Sequence, residues 1–190
     1  RDAFIHSFDI KEDRGAGVAV YHRGKCVVDL MGGWRDKDQT VPYDSDSLQV
    51  VFSTTKGITS IAVAMCVERG LLNYEEKVST YWPEFATRGK ADITVAQLLS
   101  HRAGLYTVDG DISLEDALDW TTVTGRLADT APLFPVGSTH GYHALTFGWL
   151  AGELVRRVTG KSLGDFVREE IAGPLGVEMH VGLPPELEPR

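Results

Sequence analysis

At 190 residues the chain is long enough for one domain or one and a half, and a hydrophobic fraction of 43% is ordinary for a globular protein with a sizeable core. The net charge of −8, with Lys and Arg scattered rather than clustered, excludes nucleic acid or an anionic membrane as the main partner. No apolar run of about 18 residues is present to span a bilayer.

The chain begins Arg1-Asp2-Ala3 without a charged-then-apolar leader, which sets the expectation of a cytoplasmic protein and leaves a removed signal open. Residues 16–34 read as a β-hairpin: Ala16–Tyr21, a turn at Arg23-Gly24, then Cys26–Leu30. A polar loop follows, and Leu48–Phe52 delivers the chain to Ser53.

The run Ile58, Ile61, Ala62, Val63, Met65, Cys66 and Val67 leaves almost no polar face, which predicts a helix buried all round, stopped at Arg69-Gly70. The two cysteines are too few for a disulfide framework. Cys66 in this helix and Cys26 in the hairpin are both expected as small core residues. Ser53 then stands at the helix N-terminus, with Lys56 one turn on and on the same face. A serine is a weak nucleophile until a base takes its proton, and a buried lysine can do so directly or through a third group. Helix N-terminal amides favour a developing oxyanion. The bland alternative is an N-cap serine and a solvated lysine.

After Gly70, Tyr81–Phe85 reads as an aromatic loop. Thr94-x-x-Gln97 is a capping box opening a short helix, Ser113-x-x-Asp116 opens another, and residues 122–128 hold a third. A glycine- and proline-rich loop leads to Gly141-Tyr142-His143-Ala144, and a helix from about His143 to Val158 follows. Tyr142 reads either as a packing residue with a wet hydroxyl or as a general base whose phenolate a lysine ammonium would favour. Ser162-x-x-Asp165 caps the last helix, and the rest from Gly173 is loop. A two-stranded ribbon is marginal alone, so the sheet is expected to need strands from a missing C-terminal portion.

Val51–Gly57, Gly70-Leu71-Leu72, Tyr81–Phe85, Leu98–Leu105 and Tyr142–Thr146 together resemble the active-serine β-lactamase superfamily. The sequence is most similar to the family VIII carboxylesterases, which are themselves similar to class C β-lactamases. The resemblance covers roughly residues 17–176. It implies an α+β, β-lactamase/transpeptidase-like fold, a helical domain packed on a mostly antiparallel sheet. Residues 1–75 would be the N-terminal part of the α/β domain, 76–160 the helical domain and 161–190 the return toward the first.

Carried over by motif, Ser53 is the nucleophile, Lys56 assists its deprotonation and Tyr142 is the base or proton relay. The implied substrate is a small-molecule ester, hydrolysed through an acyl-enzyme without cofactor or metal. The alternatives are a D-alanyl peptidase or weak β-lactamase, and a non-catalytic scaffold. Two departures stand out. Ala144 occupies the place of an asparagine whose amide binds the β-lactam side chain, and the third motif with the second oxyanion donor is not found. Thr159-Gly160-Lys161 reads as a helix C-cap, Gly160-Lys161-Ser162 lacks the rest of a phosphate loop, and Asp109-Gly110-Asp111 lacks the glycine and glutamate of a calcium loop. The six histidines show no zinc spacing, and His101 is expected to be a structural hydrogen-bonding residue.

Overall fold

A computed structural model describes residues 1–10 and 13–190, and the chain divides into two compact units. One comprises Arg1–Val50 with Leu183–Arg190, the other Val51–Gly182.

The first unit is a ribbon and its trimmings. Helix α1 (Asp2–Asp9), which the sequence reading did not anticipate, precedes strands β1 (Gly15–His22) and β2 (Lys25–Gly33). The strands pair antiparallel with Val18 opposite Leu30 and Val20 opposite Val28, and a register shift lies between Val20 and Tyr21. Arg23 (φ 50°) and Gly24 (φ 77°) are both left-handed, the requirement of a two-residue turn whose twist matches the strands. The Phe4 and Phe8 rings meet edge-on at 5.2 Å beside Gly32, where a side chain would touch them. The backbone of Leu48 donates to Arg190 O at 3.0 Å. No described residue of this unit is buried, and no third strand joins the pair among the described residues. Cys26, expected in a core, is exposed: the rings of α1 meet its strand at Gly32 and Gly33, the opposite end from Cys26.

The second unit holds the core. Its helices are α2 (Thr55–Glu68), α3 (Val78–Tyr81), α4 (Val95–Leu99), α5 (Leu114–Leu118), α6 (Trp120–Asp129), α7 (Thr146–Thr159), α8 (Leu163–Val167) and α9 (Gly173–Leu175). The expected caps form: Thr94 and Gln97 close a reciprocal capping box, and the Ser113 and Ser162 hydroxyls accept from the N–H groups of Asp116 and Asp165. Gly160 (φ 72°) ends α7, as a C-cap should. Helix α7 is the central strut. Phe147, Leu150, Ala151, Leu154 and Val155 are buried against α2 and α6. At Gly152 a Cβ would lie 2.7 Å from the Trp120 ring, so α6 can approach only over a glycine.

Two buried charges are fully engaged. Glu153 accepts from Trp120, Arg156 and Arg157, and Lys90 donates to the carbonyls of Thr87, Ala128 and Thr130.

Helix α2 departs from expectation. Thr59, Ala62, Val63 and Cys66 are buried, but Ala64 is exposed and Ile61 is 48% exposed. The neighbours α7 and α8 cover one side of the helix, so only one stripe of its apolar surface is buried within the unit. Helix α7 starts at Thr146 rather than His143, because residues 142–145 turn to meet Lys56 and the segment 101–105. No helix among the described residues is long and apolar enough to cross a membrane.

Candidate active site

Ser53 lies in a single 3-10 turn, Phe52–Thr54, that runs straight into α2. Its N–H falls among the opening amides that have no intrahelical acceptor. Phe52 is held at φ 44°, a left-handed conformation that costs a bulky residue about 1–3 kcal/mol, and its ring is 82% exposed. Strain of this kind beside a reactive side chain marks a segment whose geometry is imposed by its surroundings.

The three residues singled out from the sequence meet. Lys56 Nζ donates to Ser53 Oγ at 3.2 Å and to the backbone carbonyl of Ala144 at 2.6 Å. The Tyr142 hydroxyl donates to Ser53 Oγ at 2.7 Å. Lys56 Nζ also stands 4.8 Å from the centre of the Tyr142 ring and 5.8 Å from that of Phe147. Hydrogen bonding to Ser53, then to Lys56, together with the lysine charge, pulls the Tyr142 phenol below its ordinary value of 10.0. When the phenol loses its proton the 2.7 Å contact reverses, and Ser53 becomes the donor to a phenolate. The arrangement can therefore draw a proton from a serine hydroxyl beside a cation.

The tyrosine is delivered by a short irregular segment, residues 141–145, pinned to residues 101–105. Gly141 N donates to His101 O at 3.0 Å, His143 N to His101 Nδ1 at 3.1 Å, Leu105 N to His143 Nε2 at 3.0 Å and Thr146 Oγ1 to Leu105 O at 2.6 Å. Gly141 must lack a side chain, since a Cβ would sit 2.9 Å from Tyr106 and 3.1 Å from Phe134. His101 is thus a structural hydrogen-bonding residue, as expected.

The sequence reading missed two participants: the Ala144 carbonyl, which takes the strongest lysine hydrogen bond, and His143, fully buried behind Tyr142. In the sequence Ala144 stands out only for the side chain it lacks. The position of His143, directly after the tyrosine, was the available signal.

The stretches that resemble a phosphate loop and a calcium loop are engaged in local structure. Lys161 pairs with Glu169 and Glu170, and the loop at Asp109–Asp111 turns its carbonyls onto the Arg126 guanidinium, a fixed cation where a calcium ion would need ligands. No group of three or more ligating side chains suited to a metal occurs among the described residues.

A family model described as Beta-lactamase matches residues 6–190. The chain belongs to the beta-lactamase family. Among its beta-lactamase-family relatives, the protein named Esterase/beta-lactamase LipL of Mycobacterium tuberculosis is 42% identical over 184 residues, 96% of this chain and 42% of that one. A crystal structure described as a novel penicillin-binding protein homolog from Caulobacter crescentus superposes over 100% of this chain and 51% of its own, with a TM-score of 0.95 at 42% identity. One described as a family VIII carboxylesterase superposes with a TM-score of 0.94 at 42% identity, covering 100% of this chain and 53% of its own. The fold is accordingly β-lactamase/transpeptidase-like, helical with a small antiparallel sheet. The chain spans about half the length of the relatives it matches.

Proposed function

We propose that the protein is a serine hydrolase that cleaves small carboxylic esters through an acyl-enzyme on Ser53. The observation that carries this reading is the convergence on one hydroxyl: Tyr142 at 2.7 Å and Lys56 at 3.2 Å both address Ser53 Oγ. Ser53 Oγ adds to the ester carbonyl as its proton passes to the Tyr142 oxygen, and the Ser53 N–H receives the developing oxyanion. Collapse of the intermediate breaks the carbon–alkoxide bond, and the departing alcohol takes the proton back from Tyr142. Water then enters by the same relay, splits the acyl–serine bond and restores the serine hydroxyl. Lys56 supports the phenolate throughout and holds the 142–145 turn through the Ala144 carbonyl. No cofactor or metal is invoked. The division of the chain into parts at 1–75, 76–160 and 161–190 belongs to this same reading.

Esters are favoured over β-lactams because Ala144 offers no side-chain amide to a β-lactam substituent. The neighbour described as a family VIII carboxylesterase points the same way, whereas LipL's name carries both activities. Acylation by a β-lactam is the second reading, favoured by the Ser53–Lys56 geometry of this chain and by the neighbour described as a penicillin-binding protein homolog. The test is Ser53→Ala in the intact protein. Hydrolysis of p-nitrophenyl acetate should fall at least about a thousandfold with the fold preserved. Unchanged hydrolysis would refute the assignment, and labelling by a fluorescent penicillin would report the second reading.

A further inference from the structure

We infer that His101 and His143 form an imidazole pair of fixed tautomers that positions Tyr142, with His101 as the positioning residue through its Nδ1 acceptor and its left-handed backbone; this rests on the hydrolase reading above.

The tautomers follow from the hydrogen-bond pattern. Leu105 N–H donates to His143 Nε2 at 3.0 Å, so that nitrogen carries a lone pair and the ring proton of His143 is on Nδ1. His143 Nδ1 lies 3.3 Å from His101 Nδ1, which also receives the His143 backbone N–H at 3.1 Å. His101 Nδ1 is therefore an acceptor whose one ring lone pair these two donors share, and its own proton is on Nε2. His101 sits at φ 62°, which lets one residue present its carbonyl to Gly141 N and its ring nitrogen to His143. The same ring lies 5.0 Å from the Tyr142 ring and 5.2 Å from that of Phe147, so it touches the side chain it places.

A further proton on the pair would set donor against donor, at Leu105 N–H on one ring or at two His143 donors on the other. The charged and titratable groups facing the pair disfavour it as well: Lys56 from α2, His140 and Tyr142 from the loop, Tyr106 from the adjoining segment. Burial holds the His143 imidazole down to about 4, and burial followed by the charges of Lys56 and His140 lowers His101. The anchor thus keeps its hydrogen bonds across neutral pH and adds no charge behind the phenol.

The substitutions separate the acceptor from the backbone. His101→Gly keeps the left-handed conformation and loses the acceptor, whereas His101→Asn supplies an oxygen near Nδ1 and tolerates that conformation. In the intact protein, phosphonylation of Ser53 by a fluorophosphonate and p-nitrophenyl acetate hydrolysis would be followed against pH, with thermal unfolding as the check on folding. His101→Gly should lower kcat about tenfold to a hundredfold with KM little changed, because a displaced base costs rate rather than binding. Its acid limb should move to higher pH as Tyr142 drifts from Lys56. His101→Asn should restore the limb and keep the rate within about threefold of the parent.

His143→Gln keeps an acceptor for Leu105 and the backbone donor to His101, and loses the ring N–H beside His101 Nδ1. It should repeat the limb shift, and it serves if His101→Gly does not fold. A parent that labels on Ser53 alongside variants with an unmoved limb, or an Asn variant no better than Gly, would overturn the positioning role. A folded parent that fails to label Ser53 would overturn the hydrolase reading and the positioning role with it.

Discussion

The two units of the chain differ in how they are stabilised. Among the described residues, unit Val51–Gly182 holds the buried side chains, together with Ser53, Lys56 and Tyr142, whereas the hairpin unit leaves Val20, Val27 and Met31 exposed on a two-stranded ribbon. A ribbon of this size draws little from burial and depends on its turn, its cross-strand pairs and α1. The helical unit instead fixes a reactive geometry through a packed core, and it can hold Phe52 and His101 in left-handed backbone because the core over-determines them.

That contrast can be broken or sharpened by substitution. The largest expected effect is in the relay: Tyr142→Phe should cut kcat for ester hydrolysis by about a hundredfold to ten-thousandfold with an unaltered melting temperature. Equal activity would remove the phenol from the chemistry.

Next is the core itself. Phe85→Ala should destabilise the protein by about 3–5 kcal/mol, against less than about 1 kcal/mol for Val27→Ala in the ribbon, both read by denaturant unfolding. A comparable loss at Val27 would mean that the ribbon's apolar face is buried in the intact protein and would erase the contrast.

Lys90→Met should cost about 2–3 kcal/mol, because three carbonyls that the ammonium satisfies inside the core lose their donor.

The His101–His143 anchor adds a pH signature. The folded-state His143 lies at about 4 against an ordinary 6.5, so between these values the unfolded chain binds a proton that the folded one does not. Stability should therefore fall as pH drops through this window, by at most about 1.4 kcal/mol per pH unit for one such group, and His143→Gln should flatten the slope. A slope identical in parent and variant would show that the imidazole is not held as described.

The smallest effect belongs to the ribbon. Arg23→Asn should stabilise the turn by roughly a few tenths of a kcal/mol, since asparagine adopts the left-handed conformation more readily.

Much of this was legible in the sequence because it is local. The Thr94–Gln97 capping box, the Arg23-Gly24 turn and the Gly160 stop are each decided within a few residues, and they formed where expected. Ser53, Lys56 and Tyr142 could be named from motifs, and they do converge. What could not be read is what depends on distant neighbours. Ile61 looked like core by composition, but burial is a property of what packs opposite, and within the unit nothing covers that stripe of α2. Cys26 failed in the same way. The Ala144 carbonyl was invisible because a backbone acceptor leaves no trace in residue identity, and the His101–His143 contact joins residues 42 positions apart.

The central claim is that Ser53 is an activated nucleophile. It is tested most directly by the intact mass of the protein after exposure to a fluorophosphonate, with peptide mapping of the adduct. A single adduct on Ser53, lost in Lys56→Ala, is the expected result. A folded intact protein that takes up no adduct, or takes it up elsewhere, would contradict the account and leave the geometry around Ser53 as that of a non-catalytic scaffold.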